Sequence, residues 1–376
     1  MTDLTIFDMY GHAKIPPFPD YTKFPFVQKI LFNAARCPVS EQEILEGAGI
    51  GKYGTDIITS LVDRGLLETT ASTSYVTPVI LINSKEKSKI IAKTMKEAKK
   101  EAKIVEKYIP HLENTYNNLG VRTYAWKELQ YQALVLLSDV FVGYLMRKDN
   151  FLEKPSQKTI LVKDEKVNNG NYYLWGVEGG TGTKYHFGVN LWNDRSYTFG
   201  CLWSHTVRTP SRLTYLDRLD RAILKKICEV EYVTQKETLE TFSSFSNLEI
   251  IRNIEDLKFG GLITKDSMGI RGFTPFFPQK DVEKVENFLE KVAHDIFENV
   301  IIPSADTIDD LFNSLGFSQE YHNKNAFICL FRRFLLDLCF EIEFKKIVKI
   351  PLLDPMSPSQ ASWIWEGKSR IFSEFT

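Results

Sequence analysis

The sequence predicts an α+β, mainly helical fold in which one unit of helices and short strands occurs twice in a single chain. Three observations carry this. The stretch LVDRGLLETTASTSYVTP at 61–78 returns as LKFGGLITKDSMGIRGFTP at 257–275. An offset of 196 residues, which places Gly65-Leu66-Leu67 on Gly261-Leu262-Ile263, also places Asn117-Asn118-Leu119-Gly120 on Asn313-Ser314-Leu315-Gly316, a repeat too long for a solenoid. Within each copy, apolar residues pass from helical spacing to strand alternation in the same order.

The elements follow in sequence. Residues 1–21, MTDLTIFDMYGHAKIPPFPDY, carry acids and meet four prolines by Pro25, which predicts an N-terminal extension and no secretion leader. Phe24–Ala35 has helical spacing. Ser40 and Glu43 form a capping box opening Ser40–Glu46, and a third helix spans Tyr53–Arg64 with Ile57, Ile58, Leu61 and Val62 inward. Gly65 stops it, and Leu66–Thr70 and Tyr75–Ile80 are expected as strands about the polar turn Ala71–Ser74. The second copy gives Leu219–Val230, then Thr234–Phe242 boxed by Thr234 and Glu237, then Asn247–Phe259, a stop at Gly260-Gly261 and a hairpin around Asp266–Gly272.

Three short helices followed by a two-stranded hairpin resemble the winged helix-turn-helix superfamily, over residues 22–82 and 215–278. The resemblance implies a third helix that enters the DNA major groove and a wing that touches the backbone or minor groove, although many such units bind only protein.

Helical arms are expected at 83–155 and 279–347. Ile91, Met95, Ala98, Ala102, Val105 and Ile109 step at helical intervals, as do Val285, Leu289, Val292 and Ile296. Each seam is expected to pack on its own copy's next helix, Trp126–Arg147 or Asn325–Lys345, with a dimerising coiled coil as the alternative. Residues 156–205 predict three antiparallel strands, since Tyr173, Trp175 and Val177 alternate, then Tyr185 to Leu191 after Gly179–Gly182, then Tyr197 to Trp203 after Asn193-Asp194. A linker at 206–214 joins the copies. Residues 348–376 hold a truncated β segment, where Trp365-Glu366-Gly367 matches Val177-Glu178-Gly179.

The chain has 376 residues, 43% apolar and 25% charged, enough for two or three soluble domains. No apolar run reaches the roughly 18 residues of a membrane span. The five cysteines lack CxxC spacing, which predicts a reducing cytoplasm, and Cys201 with His205 is the only close Cys/His pair, so neither metal nor cofactor is expected. Net charge is −1, but residues 1–210 carry +4 and residues 211–376 carry −5.

The strongest charge feature is SKEKSKIIAKTMKEAKKEAKIVEK at 84–107, nine lysines against four glutamates, in which Lys85, Lys87 and Lys89 lead a stripe fit for phosphates. Lys52, Tyr53, Thr55, Thr59 and Ser60 on the third helix could reach phosphates or bases. Arg252 and Asn253 could read guanine or adenine, with Lys265 and Arg271 on the second wing, but Glu249, Glu255 and Asp256 oppose phosphate there. EGGTGTK at 178–184 lies between strands and lacks the GxxxxGK[ST] pattern, so it is a hairpin rather than a phosphate loop. Trp175, His186, Asn190 and Trp192 could line a ligand pocket. The expectation is a cytoplasmic DNA-binding regulator of transcription that works as a pseudo-dimer on double-stranded DNA, with a second copy or another protein as a further partner. A protein-binding scaffold is the alternative, and a nucleic-acid-acting enzyme using the His186 face is the third reading.

Overall fold

Side-chain capping sets where several helices begin. Ser40 opens α2 (Glu41–Ala48), and Thr234 opens α7 (Gln235–Thr241), each through the reciprocal box with Glu43 or Glu237 that the sequence marks. Asp217 and Asp220 form a third box that opens α6 (Arg218–Glu229). This is a computed structural model, and it describes residues 5–51, 54–70, 73–117, 138–181, 187–194, 197–204, 217–230, 232–259, 262–272, 276–339, 341 and 362–367.

The architecture is α+β and mainly helical. In the first half β1 (Thr5–Ala13) leads to α1 (Pro25–Asn33), α2, α3 (Thr55–Asp63) and a ribbon of β2 (Glu68–Thr69) and β3 (Tyr75–Val76). The short strand β4 (Ile80–Ile82) then feeds α4 (Ser84–Asn117) and, after it, a helix whose described part is 138–148 (α5). A hairpin of β5 (Gln157–Val162) and β6 (Glu165–Glu178) follows, then one of β7 (Phe187–Asp194) and β8 (Tyr197–Ser204). The second half runs α6, α7, α8 (Asn247–Phe259), a ribbon of β9 (Ile263–Lys265) and β10 (Ile270–Gly272), then β11 (Phe276–Phe277) and α9 (Gln279–Ile296). A π-helical turn (Phe297–Ile301) leads on to α10 (Ala305–Ser314), α11 (Lys324–Cys339) and β12 (Ser362–Glu366).

Several expected strands are corrected. Leu66 and Leu67 do not extend a strand: Gly65 sits at φ 67°, the chain folds back so that both amides bond to Leu61 O, and the ribbon starts only at Glu68. Tyr75–Ile80 is broken at Thr77-Pro78, because Pro78 has no donor and Thr77 Oγ1 donates to Leu66 O at 2.7 Å. Beyond the break, Ile80–Ile82 joins a different sheet.

The three-stranded meander over 173–203 is likewise overturned. Gly179 and Gly180, at φ 63° and 67°, redirect the chain out of β6, which lies in one sheet while β7 and β8 lie in another. In the first sheet β6 pairs antiparallel with β1, from Thr5 opposite Glu178 to Ala13 opposite Gly170, and parallel with β4. Residues 1–21 are therefore more than an extension. In the second sheet the order is β11-β12-β8-β7, with β12 antiparallel to β8 and parallel to β11. Ser362–Glu366, the described strand of the C-terminal segment, is thus an interior strand of this sheet. The two sheets share one connectivity: a strand before three helices (β1, β8) pairs antiparallel with a late strand (β6, β12), which pairs parallel with the short strand entering a long helix (β4, β11).

The main core lies among α4, α5, α9, α11 and β6, and every residue of α11 from Ala326 to Cys339 is buried. The apolar seam of α4 packs on α11 and α9 of the other half and shares its core with Phe141, Val142, Leu145 and Met146 of α5, the described end of the expected partner helix, whose residues 126–137 lie outside the described residues. Two further cores sit beneath the helical triplets. That of α1–α3 is continuous with the first sheet through Leu81, Tyr172 and Leu174, whereas that of α6–α8 closes on itself and its ribbon. Arg36 ties the first triplet to the second half: its guanidinium stacks 4.0 Å from the Phe317 ring and donates to Leu315 O and to Glu86.

Candidate nucleic-acid interface

The helix α4 sorts its charges by face. Its apolar positions, with Ile90, Ala98, Ala102 and Val105 buried, turn one side to the core. Three of its acids are engaged. Glu86 pairs with Arg36 at 2.7 Å, Glu97 with Lys100 at 2.7 Å, and Glu101, wholly buried, with Arg332. The lysines stand on the opposite side. Lys85, Lys89, Lys93, Lys96, Lys99 and Lys103 are exposed, and none has a carboxylate partner among the described residues; within 84–107 Glu106 is the remaining acid and is exposed on a flank.

From Lys85 to Lys103 the stripe runs about 27 Å at 1.5 Å per residue. Neighbours three or four positions apart lie about 5–6 Å apart at Cβ, inside the Debye length of about 8 Å, so their fields add. Such a row repels itself and is relieved by a polyanion of matching length. The other lysines of the segment are committed elsewhere: Lys87 donates to Glu178 O at 2.8 Å, and Lys107 bonds Asp295 at 3.2 Å.

The hydroxyls expected to contact nucleic acid on α3 are already used. Thr55 Oγ1 donates to Glu41 at 2.7 Å, Thr59 Oγ1 to Thr55 O at 3.1 Å, and Ser60 shares a 2.7 Å bond with the Tyr21 hydroxyl. Thr55 and Thr59 are exposed, but Ser60 is half-buried beneath Tyr21. Lys52 and Tyr53 lie outside the described residues.

In the second half the candidate bases are surrounded by acids. Arg252, 81% exposed, lies 3.9 Å from Asp256, and Asn253 reaches Asp217 at 3.4 Å. Lys265 donates to Gln235 at 2.8 Å and stands 3.8 Å from Glu255. Arg271 stacks 4.0 Å over Tyr232 and meets Asp266 at 3.4 Å. The same unit exposes apolar side chains, Leu248 at 78%, Phe259 at 89% and Met268 at 59%.

The proposed pocket is not assembled as expected. Trp175 is buried in the main core opposite Asp8 and Ile80, in the first sheet, whereas Asn190 and Trp192 belong to β7 in the second. His186 lies outside the described residues, as does His205. Among the described residues no three His, Cys, Asp or Glu side chains are grouped to hold a metal ion, and no helix is long and apolar enough to cross a membrane.

Sequence reasoning found the stripe but included Lys87, whose ammonium the fold commits to Glu178 O. It missed the inward turn of Glu86 and Glu101, and the available signal was their place on the apolar side of α4 rather than among the lysines. Compared with known proteins, the chain matches no family model, no curated sequence and no solved structure.

Proposed function

We propose that the chain binds double-stranded DNA through the lysine face of α4, as a cytoplasmic regulator built from two winged helices in tandem. The observation that carries this reading is the row of six exposed lysines, without acid partners among the described residues, along one face of α4. In each half the order of three helices and a two-stranded ribbon supports the winged-helix reading, and the shared connectivity of the two sheets supports a pseudo-dimer. Phosphate contacts dominate over base reading, because the polar groups of α3 and α8 are engaged within the protein.

The test is fluorescence anisotropy on random duplex DNA across a salt series, with wild type beside a variant in which Lys85, Lys89, Lys93 and Lys96 are changed to Gln. Wild type should bind with affinity that falls steeply with salt, and the variant should show a shallower slope. Absence of wild-type binding at low salt overturns the proposal.

A second reading rests on Leu248, Phe259 and Met268: the second unit meets protein while the first meets DNA. Replacing all three with Ser would then abolish capture of the partner and leave duplex binding unchanged.

A further inference from the structure

One cleft takes no part in the lysine face. It lies where the α3–β2 turn, the β5–β6 hairpin and the entry to α11 meet, a cavity of about 50 Å³ that opens to solvent. Its walls include Arg64, Lys158, Thr159, Tyr172, Tyr173 and Asn323, and among the described residues no carboxylate lines it.

Arg64 is the C-cap of α3, where the helix dipole favours a cation. That accounts for Arg64 alone. Lys158 comes from β5, opposite Gly170, and brings a second positive charge to the same walls. Neither cation has a carboxylate partner among the described residues. Burial raises the affinity of the Tyr172 phenol for its proton, and Arg64 is near enough to oppose that shift, which puts its charge close to the Tyr172 wall. Asn323 uses its Oδ1 to accept from Asn325 N at 2.8 Å, so its amide NH2 is the end left to donate. Two like charges in a cleft of this size oppose each other unless an anion lies between them.

We propose that this cleft binds a phosphate group, free or carried by a small metabolite, with Arg64 and Lys158 as charge partners and Asn323 and Thr159 as neutral donors. A carboxylate would answer one cation and leave the other uncompensated, whereas a phosphate approaches two negative charges and has several acceptor oxygens. The occupant would clamp the end of α3 to the head of α11, which belongs to the other half. Ligand level would then bias how the first helical unit is held. The inference is independent of DNA binding.

The test is thermal denaturation in a titration of inorganic phosphate at constant ionic strength, with chloride as the balancing anion. Wild type should show a saturable rise in Tm, and Arg64→Gln or Lys158→Gln should weaken the apparent affinity about tenfold or more, the loss expected for a charged hydrogen bond. Lys236→Gln, an exposed lysine of α7, should match wild type. A sugar monophosphate beside the bare sugar separates the sources: a response at lower concentration than inorganic phosphate assigns a metabolite, and an equal one assigns the free ion. No saturable rise, or the same rise in all four proteins, overturns the proposal. Should Arg64→Gln fail to fold, Lys158→Gln on the β5 strand decides the matter alone. No DNA is present, so this result and the salt series fail separately.

Discussion

Arg332 of α11 forks onto the Glu101 carboxylate of α4, 231 residues earlier in the chain, with Nη2 at 2.8 Å from Oε1 and Nη1 on Oε2. Its Nε donates to Asp139 of α5 at 2.6 Å. Burial alone would make this guanidinium easier to deprotonate, but Glu101 and Asp139 outweigh that and hold its proton more tightly. Three helices from both halves therefore meet at one charge cluster. Changing Arg332 to Leu, which leaves Glu101 buried and unpaired, should cost about 3–5 kcal/mol. The triple change of Glu101, Asp139 and Arg332 to apolar residues should cost less, as read from urea midpoints of the three proteins.

A second buried group gives a pH dependence. His322 sits against Phe317, with its Nε2 3.0 Å from Ala35 O and its Nδ1 3.2 Å from Ser318 O and 3.3 Å from Ser318 N. Burial holds its pKa below the usual 6.5, ahead of the hydrogen bonds to Ser318 and Ala35 that work the other way. The unfolded chain thus binds a proton that the folded chain resists. Stability from this site is full above pH 6.5 and is lost as pH falls through the lower folded pKa. Tm measured from pH 7.5 to 5 should decline, and His322→Gln should flatten the part of the decline just below pH 6.5.

The lysine face and the second helical unit should separate in binding. If four phosphates are contacted by Lys85, Lys89, Lys93 and Lys96, replacing all four with Gln should lower the slope of log K against log salt by roughly 3–4, at about 0.9 for each contact. Arg252→Ala with Asn253→Ala should change affinity less than about twofold and leave the slope unaltered, because both side chains face acids of their own unit. A loss of base preference in the second variant would show instead that α8 reads the groove.

Gly65 supplies a backbone test. Its φ of 67° is left-handed, and a Cβ there would meet nothing within 4 Å, so only the conformation is at stake. Gly65→Ala should therefore destabilise by roughly 1–2 kcal/mol, and Gly65→Asn by less, since Asn tolerates that region. Equal stability of Ala and Gly variants in urea would mean that the turn relaxes.

The local signals in the sequence were good guides. Ser40 with Glu43, Thr234 with Glu237 and the stop at Gly65 each act within a few residues, and the structure has helices beginning or ending there. Pairing was less legible, since a strand's partner is set by distant chain. Tyr173, Trp175 and Val177 alternate as a strand should, but nothing near them says that β1 and β4, rather than β7, lie alongside. The β5–β6 turn, with Lys163 and Asp164 at φ 50° and 66°, passed unnoticed because neither is glycine. Of the interface, the lysine periodicity was visible; the burial of the intervening glutamates depended on Arg36 and Arg332, far away in sequence.

The interior position of β12 has a consequence for synthesis. The β7–β8 hairpin emerges from the ribosome with one edge of β8 unpaired, and its partner is translated only after α6 to α11. An unpaired edge of this kind invites pairing with other nascent chains. The first sheet faces the same delay, with β1, complete at Ala13, waiting for β6 to begin at Glu165. Folding yield should thus be governed by how this edge is shielded during elongation, and a chaperone that covers it would act late, on a chain whose first half is already built.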